Sequence, residues 1–306
     1  MRIGVIDLDT SHPQAFLPLL RHRGHDVVAV FGGHTVVDDE YTRRYAQQHG
    51  IGLVVSDPKE LLGAVDAVFI HSVDWDNHVV RALPFAESGV PIHICKPFAG
   101  RASHIRELVR WADSGVRLSG GSALRWSASV SEWRETGQQV LTAYAATYGH
   151  PLDYGIHAYS LLSGLLGPGM VAARSLDTDG LRVELRWRDG RTAVVAVAPP
   201  GTGGYGFFAT LVTPGGVQQI EAGGTDLYDR FVGVTVSHLA GERDQPVSFA
   251  ELVEPELAVI AGLASARHSG SWIGLHDDPR IDDVSFDGQT FAAAYRVNRR
   301  KALGLA

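Results

Sequence analysis

Residues 1–31 read MRIGVIDLDTSHPQAFLPLLRHRGHDVVAVF. A β-branched run over 2–8, a polar turn, an amphipathic stretch over 13–21 and a second apolar run over 26–31 predict strand, helix and strand, the repeating unit of a parallel sheet. Working outward, further strands are expected at 53–55, 66–71, 91–95 and 116–119, and helices at 38–49, 58–62, 77–88 and 103–114. Several of these helices open on N-cap residues or an N1 proline. Six strands joined by crossover helices predict a Rossmann-like, doubly wound parallel sheet over residues 1–120.

After Gly120 the pattern changes. Strand-like stretches at 138–148, 170–177, 181–187, 192–198, 205–213 and 217–221 follow one another with few helices between them. They predict an α+β domain with a mainly antiparallel sheet over 121–289, and an α/β class for the whole chain. Asp189-Gly190 marks a hairpin and Pro214-Gly215-Gly216 another turn. Helices at 154–166, 227–240 and 254–268 are expected to cover one face of that sheet. A helix within the last segment, 290–306, is expected to pack back on the first domain, and its basic cluster Arg299-Arg300-Lys301 reads as a solvated helix end.

A chain of 306 residues suits two domains with substantial cores. Lys plus Arg is 27 against 34 for Asp plus Glu, a net charge of −7 that repels a phosphate backbone and disfavours nucleic acid as a partner. Cys95 is the only cysteine, so neither an intrachain disulfide nor a zinc cage of thiolates is available, in keeping with a reducing cytoplasm. No apolar run is long enough to span a membrane. The run 71–78, HSVDWDNH, holds metal-ligand residue types at no recognised spacing, and no metal is expected. An exposed face of the second sheet would suit a homodimer or homotetramer.

The turn after the first strand is where a dinucleotide's pyrophosphate would meet free backbone amides. The glycine fingerprint is missing: the chain has Asp7-Leu8-Asp9-Thr10-Ser11-His12, and two carboxylates there would repel phosphate. Thr10, Ser11 and His12 offer amides and side-chain donors in place of glycines, or simply cap a helix. The second strand ends in Gly32-Gly33-His34 and lacks the acid that grips a ribose hydroxyl. The two glycines leave room for a 2′-phosphate that His34, Arg43 or Arg44 would pair with, a slight preference for NADP if NAD(P) binds at all.

Only three lysines occur, against 24 arginines, which draws attention to Lys96 at the end of the strand 91–95. A desolvated lysine there carries a proton or polarises an oxygen, although an ordinary ion-paired lysine would look the same in sequence. The stretch Val65-Asp66-Ala67-Val68-Phe69-Ile70, then His78, then Gly89-Val90-Pro91-Ile92-His93-Ile94-Cys95-Lys96-Pro97-Phe98-Ala99 resembles the signature of the glucose-fructose oxidoreductase, inositol dehydrogenase and rhizopine-catabolism family. That family carries E-K-P where this chain reads Cys95-Lys96-Pro97. The opening Leu8-Asp9-Thr10-Ser11-His12 and the segment Ser72-Val73-Asp74 look like a subgroup with D-T-S-H in place of the glycines. The resemblance runs on through Ala123-Leu124-Arg125 and the segment 153–169.

The resemblance implies an NAD(P)-dependent oxidoreductase acting on a sugar, polyol or related secondary alcohol or ketone, with Asp9, Ser72, Asp74 and His78 among the cofactor contacts. Lys96 would orient the reacting oxygen beside the nicotinamide. Asp153-Tyr154-Gly155-Ile156-His157 matches the family's D-x-x-x-H pattern, in which the histidine is the acid/base; a helix holding both Asp153 and His157 would set them one turn apart. Tyr154 would donate to substrate, and Trp75, Arg125 and Trp126 are candidate substrate contacts. The missing glycines leave a second reading open: a cofactor-independent lyase, isomerase or cyclase on the same fold, using Lys96 and His157 for proton transfer.

Overall fold

The amino-terminal run forms β1 (Arg2–Ile6), and the turn after it starts α1 (His12–His22) with Pro13 in its first turn. In the computed structural model, which describes residues 1–199, 201 and 206–305, the alternation continues. It runs through β2 (Asp26–Phe31), α2 (Asp39–Gln48), β3 (Leu53–Val54), β4 (Ala67–Ile70), α3 (Asn77–Glu87), β5 (Ile92–Cys95), α4 (Ala102–Asp113) and β6 (Leu118–Gly121). All six strands are parallel in the order β3-β2-β1-β4-β5-β6. Strand order reverses between β1 and β4, so the ligand crevice of such a sheet lies at their carboxyl ends. Both faces are buried: Ile3, Val5 and Phe69 pack with Phe16, Leu20 and Tyr45, while Ile6, Val68, Ile70 and Ile92 pack with Phe85, Ile105 and Leu108.

Ser127 caps a helix that the sequence reading missed, α5 (Ala128–Glu135), its side chain accepting from the Val130 amide. The strand expected from 138 consequently starts later, as β7 (Thr142–Tyr148), and is followed by α6 (Ile156–Leu166), β8 (Met170–Ser175), β9 (Arg182–Trp187), β10 (Thr192–Ala198), β11 (Phe207–Thr213) and β12 (Gly216–Ala222). Tyr205, within the stretch expected to form the fifth strand, lies outside the described residues. Then come α7 (Leu227–Leu239), α8 (Phe249–Leu252), α9 (Glu254–Arg267), β13 (Ile273–Gly274) and α10 (Gly288–Ala302). The second sheet has the order β12-β11-β7-β10-β9-β8-β13; β7 and β10 pair in parallel and its other pairs are antiparallel. The β9–β10 hairpin turns at Asp189-Gly190 as expected, with Gly190 at φ 90°.

Helices α6 and α9 cover one face of this sheet; the other presents half-buried residues such as Val194 and Thr210 and the more exposed Tyr144. Helix α7, expected on the same sheet, packs instead on the first domain. Its apolar side, Phe231, Val232, Val236 and Leu239, belongs to one cluster with Phe16, Leu17 and Leu20 of α1, and Phe231 meets Phe16 and His93 edge-on at 5.9 and 5.6 Å. None of the described helices is long and apolar enough to cross a membrane.

Candidate active site

The loops after β1, β4, β5 and β6 face the start of α6 across a cavity of about 310 Å³. Lys96 follows β5 directly, and its Nζ donates to the Asp153 backbone oxygen at 2.8 Å and to Asp153 Oδ1 at 2.6 Å. An ammonium has three donors, so one remains for a ligand. His157 sits in the first turn of α6 with Nδ1 2.8 Å from Ser122 Oγ, which leaves Nε2 for the cavity. Lys96, Asp153, Tyr154 and His157 thus share one space with Thr10, Ser11, His12 and Ser72.

Burial, reinforced by the Lys96 charge and opposed by Asp153, lowers the His157 pKa to about 3. The imidazole therefore rests neutral, a proton acceptor rather than the near-neutral titrating group its residue type suggests. Burial pushes the Asp153 carboxyl up, yet the Lys96 charge and hydrogen bond, with His157 and His150 nearby, hold it below the usual range. Asp153 does not share a helical turn with His157. It lies in the turn before α6, where the Tyr154 and Gly155 amides donate to the His150 oxygen, and it serves as the counter-ion of Lys96. Burial and the Tyr148 hydroxyl at 3.3 Å keep the Tyr154 phenol protonated.

Beside this pair, Cys95 Sγ lies 3.1 Å from His12 Nδ1 and 3.2 Å from His71 Nδ1, three potential ligand atoms within 4.8 Å of one another. The contacts close as hydrogen bonds, with the thiol donating to one ring and accepting from the other. Burial pushes Cys95 up to about 12, takes His12 down to about 3 and lowers His71 well below its ordinary value, so all three are uncharged. No sequence spacing shows this cluster, because its members come from three separate loops and strands.

Several expected contacts lie elsewhere. Asp9 points away from the cavity, its oxygens accepting from the Val36 and Val73 amides at 3.2 and 3.1 Å, so that it ties together the loops after β1, β2 and β4. Burial and the neighbouring Asp7 charge raise its pKa to about 8, and burial raises Asp7 as well, so the two carboxyls expected to repel phosphate are buried and pushed up. The room attributed to the two glycines is filled: a Cβ on Gly32 would fall 2.1 Å from Thr42 Oγ1 and one on Gly33 2.2 Å from Asp7 Oδ1. His34 pairs with Asp39 at 3.5 Å. Gly33 also sits at φ 95°, and Gly33→Ala is expected to cost about 2 kcal/mol or more of stability, measured by urea unfolding; an unchanged midpoint would restore the idea of open space there.

Asp74 accepts from the Asp76 amide and the Asn77 side chain and only shapes its loop. His78 is fully buried, its ring spanning the Phe98 and Ser72 carbonyls at 3.1 and 3.0 Å. Trp75 is sealed from solvent, donates to the Phe286 oxygen and stacks on Phe291 at 4.8 Å, so it is core rather than a substrate platform. Arg125 is buried against Ser163 and, with Trp126, lines a different cavity that holds neither Lys96 nor His157.

Conversely, Ser122, Phe207, Tyr228 and Tyr295 are at the site and were not anticipated. Tyr295 comes from α10, whose basic end is not merely solvated. Arg299 donates to the Asp9 and Thr10 carbonyls at 3.2 and 2.8 Å, and Arg300 to the Val36 carbonyl at 2.9 Å.

No protein-family model and no curated protein matches the sequence. Solved structures do. A probable dehydrogenase from Thermotoga maritima superposes with a TM-score of 0.75 at 16% identity, over 90% of this chain and 100% of that one. The chain shares its fold with that structure. The WlbA dehydrogenase from Bordetella pertussis, solved with NADH and UDP-GlcNAcA, gives 0.74 at 18% identity over 91% and 99% of the two chains. The myo-inositol dehydrogenase from Lactobacillus casei, solved with NAD(H) and myo-inositol, gives 0.73 at 17% over 90% and 96%. Of the loops at the strand-order reversal, the turn Thr10–His12 and Ser72 line the cavity, while the arginines of α10 hold the Asp9, Thr10 and Val36 carbonyls.

Proposed function

We propose that the chain is an enzyme working on the oxygen-bearing carbon of a sugar, polyol or related secondary alcohol or ketone. The observation that carries this reading is that the Lys96 ammonium and the His157 imidazole, from different domains, line one cavity of about 310 Å³. The third Lys96 N–H would donate to the substrate oxygen, while Asp153 holds the ammonium in place. With Ser122 accepting from Nδ1–H, the lone pair of His157 lies on Nε2 and can take a proton from substrate. Tyr154 and Tyr295 supply neutral donors around the same space.

The NAD(P)-dependent oxidoreductase form of this reading is supported by the fold shared with NAD-bound dehydrogenases, in which a nicotinamide would supply or remove hydride. A cofactor-independent form, a lyase, isomerase or cyclase, would use the same two residues, and the helix α10 along the sheet edge is the feature that raises it. Both need the base. His157→Ala is expected to lower turnover of sugars, polyols and their keto forms by about 10²–10⁴-fold, assayed with and without NAD(H) and NADP(H). Wild-type turnover in that variant would reject the reading.

A further inference from the structure

We propose that α10 takes the place of a dinucleotide on this sheet, and that the Lys96–His157 site, on the reading just given, runs a redox-neutral proton transfer. A dinucleotide crosses the carboxyl edge of a doubly wound sheet at the reversal of strand order, its pyrophosphate on the first strand–helix turn. The segment 286–300 follows that course. The Phe286 amide donates to the Gly100 carbonyl, beyond β5, at 2.9 Å. The Phe286 carbonyl accepts from Trp75 Nε1 at 2.8 Å and the Gly288 amide donates to Asp76 Oδ2 at 2.9 Å, both in the loop after β4. Arg299 then grips the two carbonyls after β1, and Arg300 the one after β2.

The loops touched, after β5, β4, β1 and β2, come in the spatial order of the strands. The helix has 15 residues, and a rise of about 22 Å is ample for the three strand spacings, about 14 Å, that separate β5 from β2. It is seated closely: a Cβ on Gly288 would fall 2.5 Å from Asp74 Oδ1. Beneath it Asp9 is turned inward, its carboxyl oxygens accepting from the Val36 and Val73 amides. The helix also completes the cavity, since Tyr295 lines it.

The chemistry left to the site needs no hydride carrier. Neutral His157 takes the proton from a carbon next to a carbonyl, and the C–H electron pair forms an enolate whose oxygen is held by Lys96. The enolate collapses back to the carbonyl as the imidazolium gives the proton to a β-hydroxyl that leaves as water. Every electron stays with the substrate and its products, so dehydration of a keto sugar balances without an oxidant.

The test is energy transfer from protein tryptophan to NADH and NADPH, titrated to millimolar concentration on the full chain, with hydrogen–deuterium exchange read over 288–302. No saturable signal, together with unchanged protection of α10, is the expected result. Saturable binding overturns the proposal, whether α10 loses protection, which would make it a gate, or keeps it, which would route the cofactor elsewhere. The Arg299→Ala/Arg300→Ala variant loosens the helix end: binding that appears only in this variant is the result expected of a helix in the dinucleotide's place, whereas binding of equal affinity in the wild type and the variant overturns the proposal. Failure of the site reading shows separately, as wild-type turnover in His157→Ala, whatever the NADH result.

Discussion

Lys96→Ala is expected to lower kcat by about 10²–10⁴-fold and, at the same time, to destabilise the protein. The two effects have different origins. Turnover falls because the ammonium donor to the reacting oxygen is gone. Stability falls because Asp153, held 2.6 Å from Nζ and only part-buried, loses its counter-ion, and leaving such a group unpaired costs about 1–3 kcal/mol. The pair can be separated experimentally. Lys96→Met combined with Asp153→Asn removes both charges and is expected to regain much of the lost melting temperature while staying inactive. A double variant that recovers turnover along with stability would reduce Lys96 to a structural ion pair. A single variant with unchanged kcat would remove it from the mechanism altogether.

Stability is expected to peak near pH 6.5 and to fall by a few kcal/mol per pH unit on either side, the second large effect. Burial lowers the pKa of His12, His71, His78, His93 and His157 in the folded chain. The unfolded chain binds protons at these imidazoles below about 6.5 while the folded chain does not, so the stability they contribute is present above that pH and lost as pH falls. Burial acts in the other direction on Asp7, Asp9 and Glu256, the last two raised to about 8. Their contribution is complete below about 4, where the unfolded carboxyls protonate, and is lost as pH rises from there through the folded pKa values, about 8 for Asp9 and Glu256, so that it partly offsets the imidazoles on the acid side. Urea unfolding at pH 5, 6.5 and 8 reads both limbs, and a flat profile would mean the imidazoles are not held neutral.

His93 isolates one contribution to the acid limb. Both its ring nitrogens lack hydrogen-bond partners, and the ring stacks on Phe69 at 4.5 Å. His93→Phe is therefore expected to shallow the acid limb by about one proton's worth, about 1.4 kcal/mol per pH unit.

Period and punctuation in the chain were enough to determine the six-stranded parallel sheet, the change of architecture after Gly120 and the Asp189-Gly190 hairpin, because each depends on residues close together in sequence. The Lys96 and His157 candidates were legible for the same reason, one at a strand end and one at a helix start. Only the tertiary structure decided that Asp153 serves Lys96, that His157 is neutral and that Asp9, Trp75 and His78 hold the frame together. It also decided that α10 crosses the carboxyl edge of the first sheet. Arg299 meets Asp9 and Thr10 across 290 and 289 residues, and a contact that distant leaves no local periodic signal. Desolvation, which sets the charge of every imidazole at the site, is likewise a property of surroundings that exist only once the chain has folded.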